Sequence, residues 1–324
     1  MALFYVSQSK CNTYRRCKYA YFLRYIEKLR KRLKGRSLSF GSVAHELLEA
    51  DANGDDPMEK LGELANSTEK MFKSEREDYE DMIQDAEDIM ADYFKVDWKD
   101  KSLKFIRRKA KSAEHEFEVD LVNGIVLEGK LDAMAKTPDK RTWLVENKTF
   151  NKMPNDDHRW RNLQSNVYVR VTEMLGLPQI DGLCWNYIRN QPLGVPRLLK
   201  NGTFGLRRVN TLPTRLERFF QENKLKARDY PKIVKAAEDN RRTYFARIFS
   251  SAKKATVDRI FKDLIETASE MADSHGKLMA KTIDRHCEWC DYEALCRAEL
   301  QGGDVDFLKK KEYYVSEHKR PKKR

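Results

Sequence analysis

Near its C-terminus the chain carries Cys287-Glu-Trp-Cys290-Asp-Tyr-Glu-Ala-Leu-Cys296. A C-x2-C-x5-C run puts three thiols within reach of one centre, and a fourth ligand must then come from elsewhere in the chain. Cys11 and Cys17, close to the N-terminus, are the candidates; Cys184 lies in an apolar strand and reads as a core residue. A shared centre would staple the two ends of the chain around everything between them. Four thiolates suit either a tetrahedral Zn²⁺ or an iron–sulfur cluster, and spacing does not separate the two. Six cysteines in 324 residues are too few for a disulfide scaffold.

The charge balance points to a polyanionic partner. Lys and Arg number 63 against 51 Asp and Glu, a formal net charge of +12, which favours phosphate backbones through long-range attraction and counterion release. A basic surface with no partner remains the plain alternative. Residues 10–36 concentrate the positive charge, with Glu27 the single acid. Their aromatic residues Tyr14, Tyr21, Phe22 and Tyr25 fit one buried helical stripe. The chain contains no apolar run of the roughly 18–20 residues that a membrane helix requires. The start, MALFYVSQSKC, has no secretory pattern. A cytoplasmic protein, in a bacterial or phage-infected cell, is expected.

Periodicity predicts a long helix over 75–94 with an acidic face toward solvent. Strands follow over 114–120, 125–135 and 142–149, then a helix over 159–175 and a strand over 182–189. Helices are expected over 211–228, 231–250 and 253–279, and a basic tail without fixed structure from Lys309. The fold class is α/β, a small mixed sheet flanked by helices. The segmentation is 1–36 with 280–305 as the cysteine staple, 37–195 as the core, 196–279 as a helical region of unassigned role, and 306–324 as the tail.

Within the core, Asp132 and Glu146 are each seven residues from Asp139, the middle of the turn Thr137–Arg141. A regular antiparallel hairpin sets them opposite each other, with Cβ atoms about 4.5–5.5 Å apart. Carboxylates that close repel unless a cation such as Mg²⁺ or Mn²⁺ joins them. Lys148, two residues beyond Glu146, faces the same side of its strand. Two carboxylates, a hard cation and an ammonium suit phosphodiester cleavage; a surface hairpin with paired charges is the bland reading. His45 and Glu49 share a helix face upstream, and Gln164 and Tyr168 share one downstream. His45 suits a third metal ligand, or a structural histidine. Gln164 and Tyr168 suit a polar site, or ordinary exposed positions.

Together these motifs resemble the RecB-like branch of the PD-(D/E)XK nucleases. More narrowly they resemble its iron–sulfur members: AddB-type nuclease domains and CRISPR-associated exonucleases, with phage-encoded relatives. The matching residues are Gly41, His45 and Glu49; Gly129 and Asp132; Glu146 and Lys148; Gln164 and Tyr168. The resemblance implies a restriction-endonuclease-like core with a helical iron–sulfur subdomain. It implies an Mg- or Mn-dependent exonuclease on single-stranded or end-bearing DNA, serving recombination, repair or phage DNA processing. His45, Asp132 and Glu146 would hold the metal, while Asp132, Glu146, Lys148, Gln164 and Tyr168 serve catalysis. Cys17, Cys287, Cys290 and Cys296 would hold a [4Fe-4S] cluster, with zinc as the alternative occupant. Arg30, Lys31 and Arg32, in the basic segment, are candidate phosphate contacts. Lys18 stands where a proline often follows the early cysteine. No Walker lysine loop occurs, so nothing points to a helicase motor. The rival from another class is a noncatalytic DNA-binding or recombination scaffold whose four-cysteine metal centre is structural.

Overall fold

The computed structural model describes residues 3–32, 36–66, 73–96, 103–106, 113–194, 196–200, 202–205, 210–277 and 279–316. The chain forms two compact units. One comprises Met1–Lys34, Glu116–Gly129 and Lys254–Arg324; the other comprises Gly35–His115 and Lys130–Lys253. No helix among the described residues is long and apolar enough to cross a membrane.

The first unit opens with β1 (Phe4–Val6) and α1 (Gln8–Arg16), whose N-cap Ser7 accepts a hydrogen bond from the Lys10 N–H. The single helix suggested by the aromatic stripe does not form. At Cys17 the backbone turns extended (φ −158°, ψ 115°), and a short α2 (Lys18–Tyr21) restarts behind it. The Cys17 sulfur accepts the Ala20 N–H at 3.5 Å, so the break is capped by the cysteine itself. A π-helical turn, Phe22–Ile26, leads into β2 (Leu29–Lys31). Tyr14 and Tyr21 stay buried and meet edge-on at 5.4 Å, which explains why the stripe exists without one continuous helix.

The second unit begins with α3 (Arg36–Asn53), α4 (Pro57–Ala65) and α5 (Lys73–Lys95). Met82, Ala86, Ile89, Met90 and Tyr93 of α5 pack against Phe40, Val43, Leu47 and Leu48 of α3 in its main core. The expected acidic solvent face of α5 is only partly solvent-facing. Asp85, Asp88 and Asp92 are buried. Their i, i+3, i+7 spacing makes a ladder of carboxylates, and arginines from later helices meet it.

Next come β3 (Lys104–Phe105), β4 (Ala113–Asp120), β5 (Ile125–Lys136) and β6 (Thr142–Phe150). The early residues of β5 belong to the first unit, where they pair in parallel with β1. Its later residues pair antiparallel with β6, Ala133 against Val145 through Lys136 against Thr142. This is the register that a turn centred on Asp139 requires. Helices α6 (Asp156–Arg161) and α7 (Leu163–Met174) cross over to β7 (Gly182–Arg189), which lies parallel to β6. Then α8 (Pro213–Glu222) and α9 (Pro231–Tyr244) bring the arginines: Arg215 and Arg218 to Asp88, and Arg241 to Asp92.

At Phe245 the predicted helix over 231–250 ends early. The chain becomes β8 (Phe245–Ser251), antiparallel to β7. Phe245, Ile248 and Phe249 are residues that favour strands, and pairing with β7 takes these seven residues out of the helix. A Cβ at Gly182 would stand 2.3 Å from the Ser250 carbonyl oxygen, so that crossing of β7 and β8 needs glycine. The sheet is mixed, and the unit is α/β with helices flanking it.

The chain then returns to the first unit as α10 (Lys254–Asp273), α11 (Glu293–Gln301), α12 (Val305–Glu312) and β9 (Tyr313–Val315). The tail expected to lack structure from Lys309 is therefore ordered as far as Ser316; residues 317–324 lie outside the described residues. Strand β9 pairs antiparallel with β2. Tyr19, Leu23, Leu29, Tyr292, Leu295 and Tyr313 form a small core beneath it, and Tyr292 donates its hydroxyl to the Leu29 carbonyl at 2.8 Å.

Candidate active site

Four elements of the second unit bring the predicted polar residues together. Gly41 lies inside α3, and its missing side chain lets the helix come close to β6: a Cβ there would sit 3.3 Å from Thr149 Oγ1. With α3 that close to β6, His45 comes one turn later beside Asp132, Nδ1 to Oδ1 at 4.0 Å. On β6, Lys148 Nζ stands 2.5 Å from Glu146 Oε1. Tyr168, on α7, is buried within electrostatic range of both carboxylates. The Lys130 backbone and the Gln164 side chain lie near enough to its hydroxyl to pull the phenol down slightly. Arg30, Lys31 and Arg32 lie on or just past β2, in the other unit.

Charge shapes the cluster. Burial and the neighbouring Glu146 push the Asp132 carboxyl up to about 7, against the pull of His45, Lys148 and the Asn147 N–H. Burial alone would lower the Lys148 ammonium, but Glu146 and Asp132 outweigh it and hold the ammonium above its ordinary value. Burial, then the two carboxylates, raise the Tyr168 phenol well above its usual range, so it stays protonated.

Asp132, Glu146 and His45 offer the oxygen and imidazole donors that a hard divalent ion takes. A second carboxylate beside a carboxyl already raised to about 7 is an environment that a cation would relieve. Lys148, against Glu146, supplies part of that counter-charge. Among the described residues, no three His, Cys, Asp or Glu side chains are arranged to hold a metal ion.

The same holds at the cysteines. Cys17, Cys287, Cys290 and Cys296 line one cavity of about 300 Å³ in the first unit, with Thr282, Ile283 and Tyr292 among the other walls. Cys17 Sγ accepts the Thr282 N–H at 3.5 Å, and Cys287 Sγ contacts the Thr282 carbonyl at 3.8 Å. Burial first, then the neighbouring Cys290 and Cys17, push the Cys296 thiol up to about 11. Thiols that raise one another are chemically suited to a shared cation, yet in this arrangement they do not form a ligand set. Cys11 is fully buried away from the cavity, and Cys184 is sealed in the sheet core with Val145 and Trp143.

Several participants escaped the sequence reading. Asn147 gives its backbone N–H to Asp132 Oδ2 at 2.8 Å, fixing that carboxyl, and its side chain accepts from Asn186 Nδ2 at 2.8 Å. Tyr187 stands beside Lys148 in the β6–β7 register, where burial raises its phenol against the pull of Arg159 of α6 and Lys148. The alternation Trp185, Tyr187 along β7 was the available signal, since these residues fall beside Glu146 and Lys148.

A family model described as the PD-(D/E)XK nuclease superfamily matches residues 5–297. Members of that superfamily are generally metal-dependent nucleases. No curated protein matches the chain.

Proposed function

The chain belongs to the PD-(D/E)XK nuclease superfamily, and from that premise we propose that it is an Mg²⁺- or Mn²⁺-dependent exodeoxyribonuclease acting on single strands or DNA ends. The observation that carries this reading is the convergence of His45, Asp132, Glu146, Lys148 and Tyr168 in one unit, with a buried carboxyl raised by its neighbour.

Asp132, Glu146 and His45 would hold the divalent ion. When bound, it supplies Lewis-acid activation of water and neutralises phosphate charge. The chain's own groups do the rest. Asn147 holds Asp132 in place through its N–H. Lys148 stays an ammonium at neutral pH, so it stabilises developing negative charge and does not act as the base. Tyr168, kept protonated and close to Gln164, offers a phenol to orient the strand. Lys31, at the end of β2, and Arg32, just past it, are exposed and serve as phosphate contacts without sequence preference.

In the first unit, Cys17, Cys287, Cys290 and Cys296 are proposed to carry a [4Fe-4S] cluster in a structural role, with Zn²⁺ as the other occupant. Recombination, repair or phage DNA processing is the setting that suits such an enzyme.

The test is digestion of end-labelled single and double strands with Mg²⁺, Mn²⁺ or EDTA. Shortening from an end with either ion, abolished by EDTA, is expected. Tight DNA binding without divalent-dependent cleavage would leave the noncatalytic scaffold standing instead.

A further inference from the structure

Trp160 lies on α6, between the strand that carries Glu146 and Lys148 and the helix that carries Gln164 and Tyr168. It is 65% exposed, although a tryptophan has more to gain from burial than any other side chain. Its helix neighbour Arg159 draws α6 towards the β6–β7 strands. The Arg159 guanidinium is near enough to the Tyr187 phenol to act on it electrostatically, and Tyr187 stands beside Lys148 across the two strands. Arg159 is also tied to the Pro154 carbonyl at 3.1 Å, so α6 is anchored and not merely adjacent.

The indole itself is held in orientation. Its Nε1–H donates to Asp157 Oδ1 at 3.3 Å, and the Arg161 guanidinium lies 5.5 Å from the ring centre. Asp156 is paired with Arg159, and Arg161 stands beside the indole. An oriented, exposed aromatic ring with a guanidinium beside it matches a base and its phosphate.

We propose that Trp160 stacks on an unpaired base of the strand engaged at the Asp132–Glu146 cluster, with Arg161 on an adjacent phosphate. The proposal rests on the nuclease reading above and deepens it. A base inside a duplex is already stacked on both faces, so this ring favours a single strand or a frayed end. Trp160 is then a specificity-determining contact for the strand.

The experiment compares wild type, Trp160→Ala and Trp160→Phe on single-stranded oligonucleotides with a single abasic position walked inward from the end. The exposed position makes all three proteins foldable. Trp160→Ala should raise KM for single strands about tenfold with kcat little changed, and Trp160→Phe should restore most of the loss. In wild type, one abasic position should carry a comparable KM penalty, and that penalty should vanish in Trp160→Ala. A binding arm reads stacking without cleavage: fluorescence of 2-aminopurine at that position should be quenched by wild type and not by Trp160→Ala. Unchanged KM in Trp160→Ala, an abasic penalty that persists in it, or equal quenching by both proteins overturns the proposal. A wild type that cleaves nothing in Mn²⁺ overturns the nuclease reading, while the quenching arm still decides the stacking claim.

Discussion

Lys148 reaches back along its own strand and sets its ammonium 2.5 Å from Glu146 Oε1. The pair gives the buried Glu146 a counter-charge and puts the cation at the heart of the cluster. Lys148→Ala should therefore do two separable things. It should lower kcat by about 10²–10³-fold, the scale for removing one charge-stabilising group. It should also destabilise the metal-free protein by about 1–2 kcal/mol, less than for a wholly buried pair because the lysine is partly exposed. DNA affinity should hold. Near-normal kcat would take Lys148 out of the chemistry, whatever the melting curve shows.

The Asp132 carboxyl, raised to about 7, makes stability depend on pH in a definite direction. Its unfolded pKa is near 3.9, so between about pH 4 and 7 the folded state binds the extra proton. Metal-free protein should lose stability as pH rises through that window and level off above it. Asp132→Asn should flatten this part of the curve. Divalent binding runs the other way, because ligation needs the ionised form, so Mn²⁺ affinity should weaken on acidification below about 7. Melting curves at several pH values, with and without Mn²⁺, check both slopes. A wild-type curve parallel to that of Asp132→Asn would remove the proton from Asp132.

The hairpin was legible because its register depends on a turn whose centre can be counted: Asp132 and Glu146 follow from Asp139. The strand β7 and the helix α7 were legible from period, but the single helix expected over 159–175 breaks at Asn162, whose extended backbone separates α6 from α7. The break at Cys17 was not, since aromatic spacing continues through it and only the cysteine's extended backbone ends the helix. The strand at Phe245–Ser251 was hidden because its partner β7 lies about sixty residues earlier, and local pattern carries no record of pairing. His45, Gln164 and Tyr168 were candidates from helical spacing and the resemblance, and the structure sets His45 beside Asp132 and Tyr168 within electrostatic range of both carboxylates. Asn147 could not, because it acts on Asp132 through its backbone N–H, which every residue but proline possesses.

The carboxylate ladder on α5 was misjudged because Asp85, Asp88 and Asp92 look like surface charge until Arg215, Arg218 and Arg241 are found opposite them. Asp88 meets two guanidiniums and is fully buried. Removing its charge leaves Arg215 with Asp85 alone and Arg218 with Glu87 alone, so both cations lose their fully buried partner. Asp88→Asn should cost about 3–5 kcal/mol of stability, read by urea unfolding. A loss under about 1 kcal/mol, the scale of an exposed pair, would mean that α8 is held by its apolar face alone.

Strand β2 separates the three basic candidates. Arg30 donates to the Leu29 carbonyl at 3.0 Å and lies over the Tyr25 ring, while Lys31 and Arg32 point outward. Charge reversal at Lys31 and Arg32 together should weaken DNA binding and flatten its dependence on salt, leaving the melting temperature nearly unchanged. Arg30→Glu should lower the melting temperature as well. A salt slope unaffected by the double reversal would place the phosphate path off this strand.

The cysteine cavity offers the sharpest division of outcomes. Four thiols from the start and the end of the chain face one space of about 300 Å³, and burial with mutual proximity keeps Cys290 and Cys296 above their ordinary values. Filling that space with a charged centre would relieve the thiols and bind α2 to the segment before α11. Anaerobically purified protein should then be brown, with about four irons per chain for one four-iron cluster. Cys17→Ser should bleach it and lower the melting temperature. Cys11→Ser and Cys184→Ser should keep the colour, because Cys11 is buried outside the cavity and Cys184 lies in the sheet core of the other unit. One zinc per chain in colourless protein would replace the cluster with a tetrahedral ion and keep the staple. Full stability with neither metal, unaffected by Cys17→Ser, would leave the four thiols as no more than a polar lining.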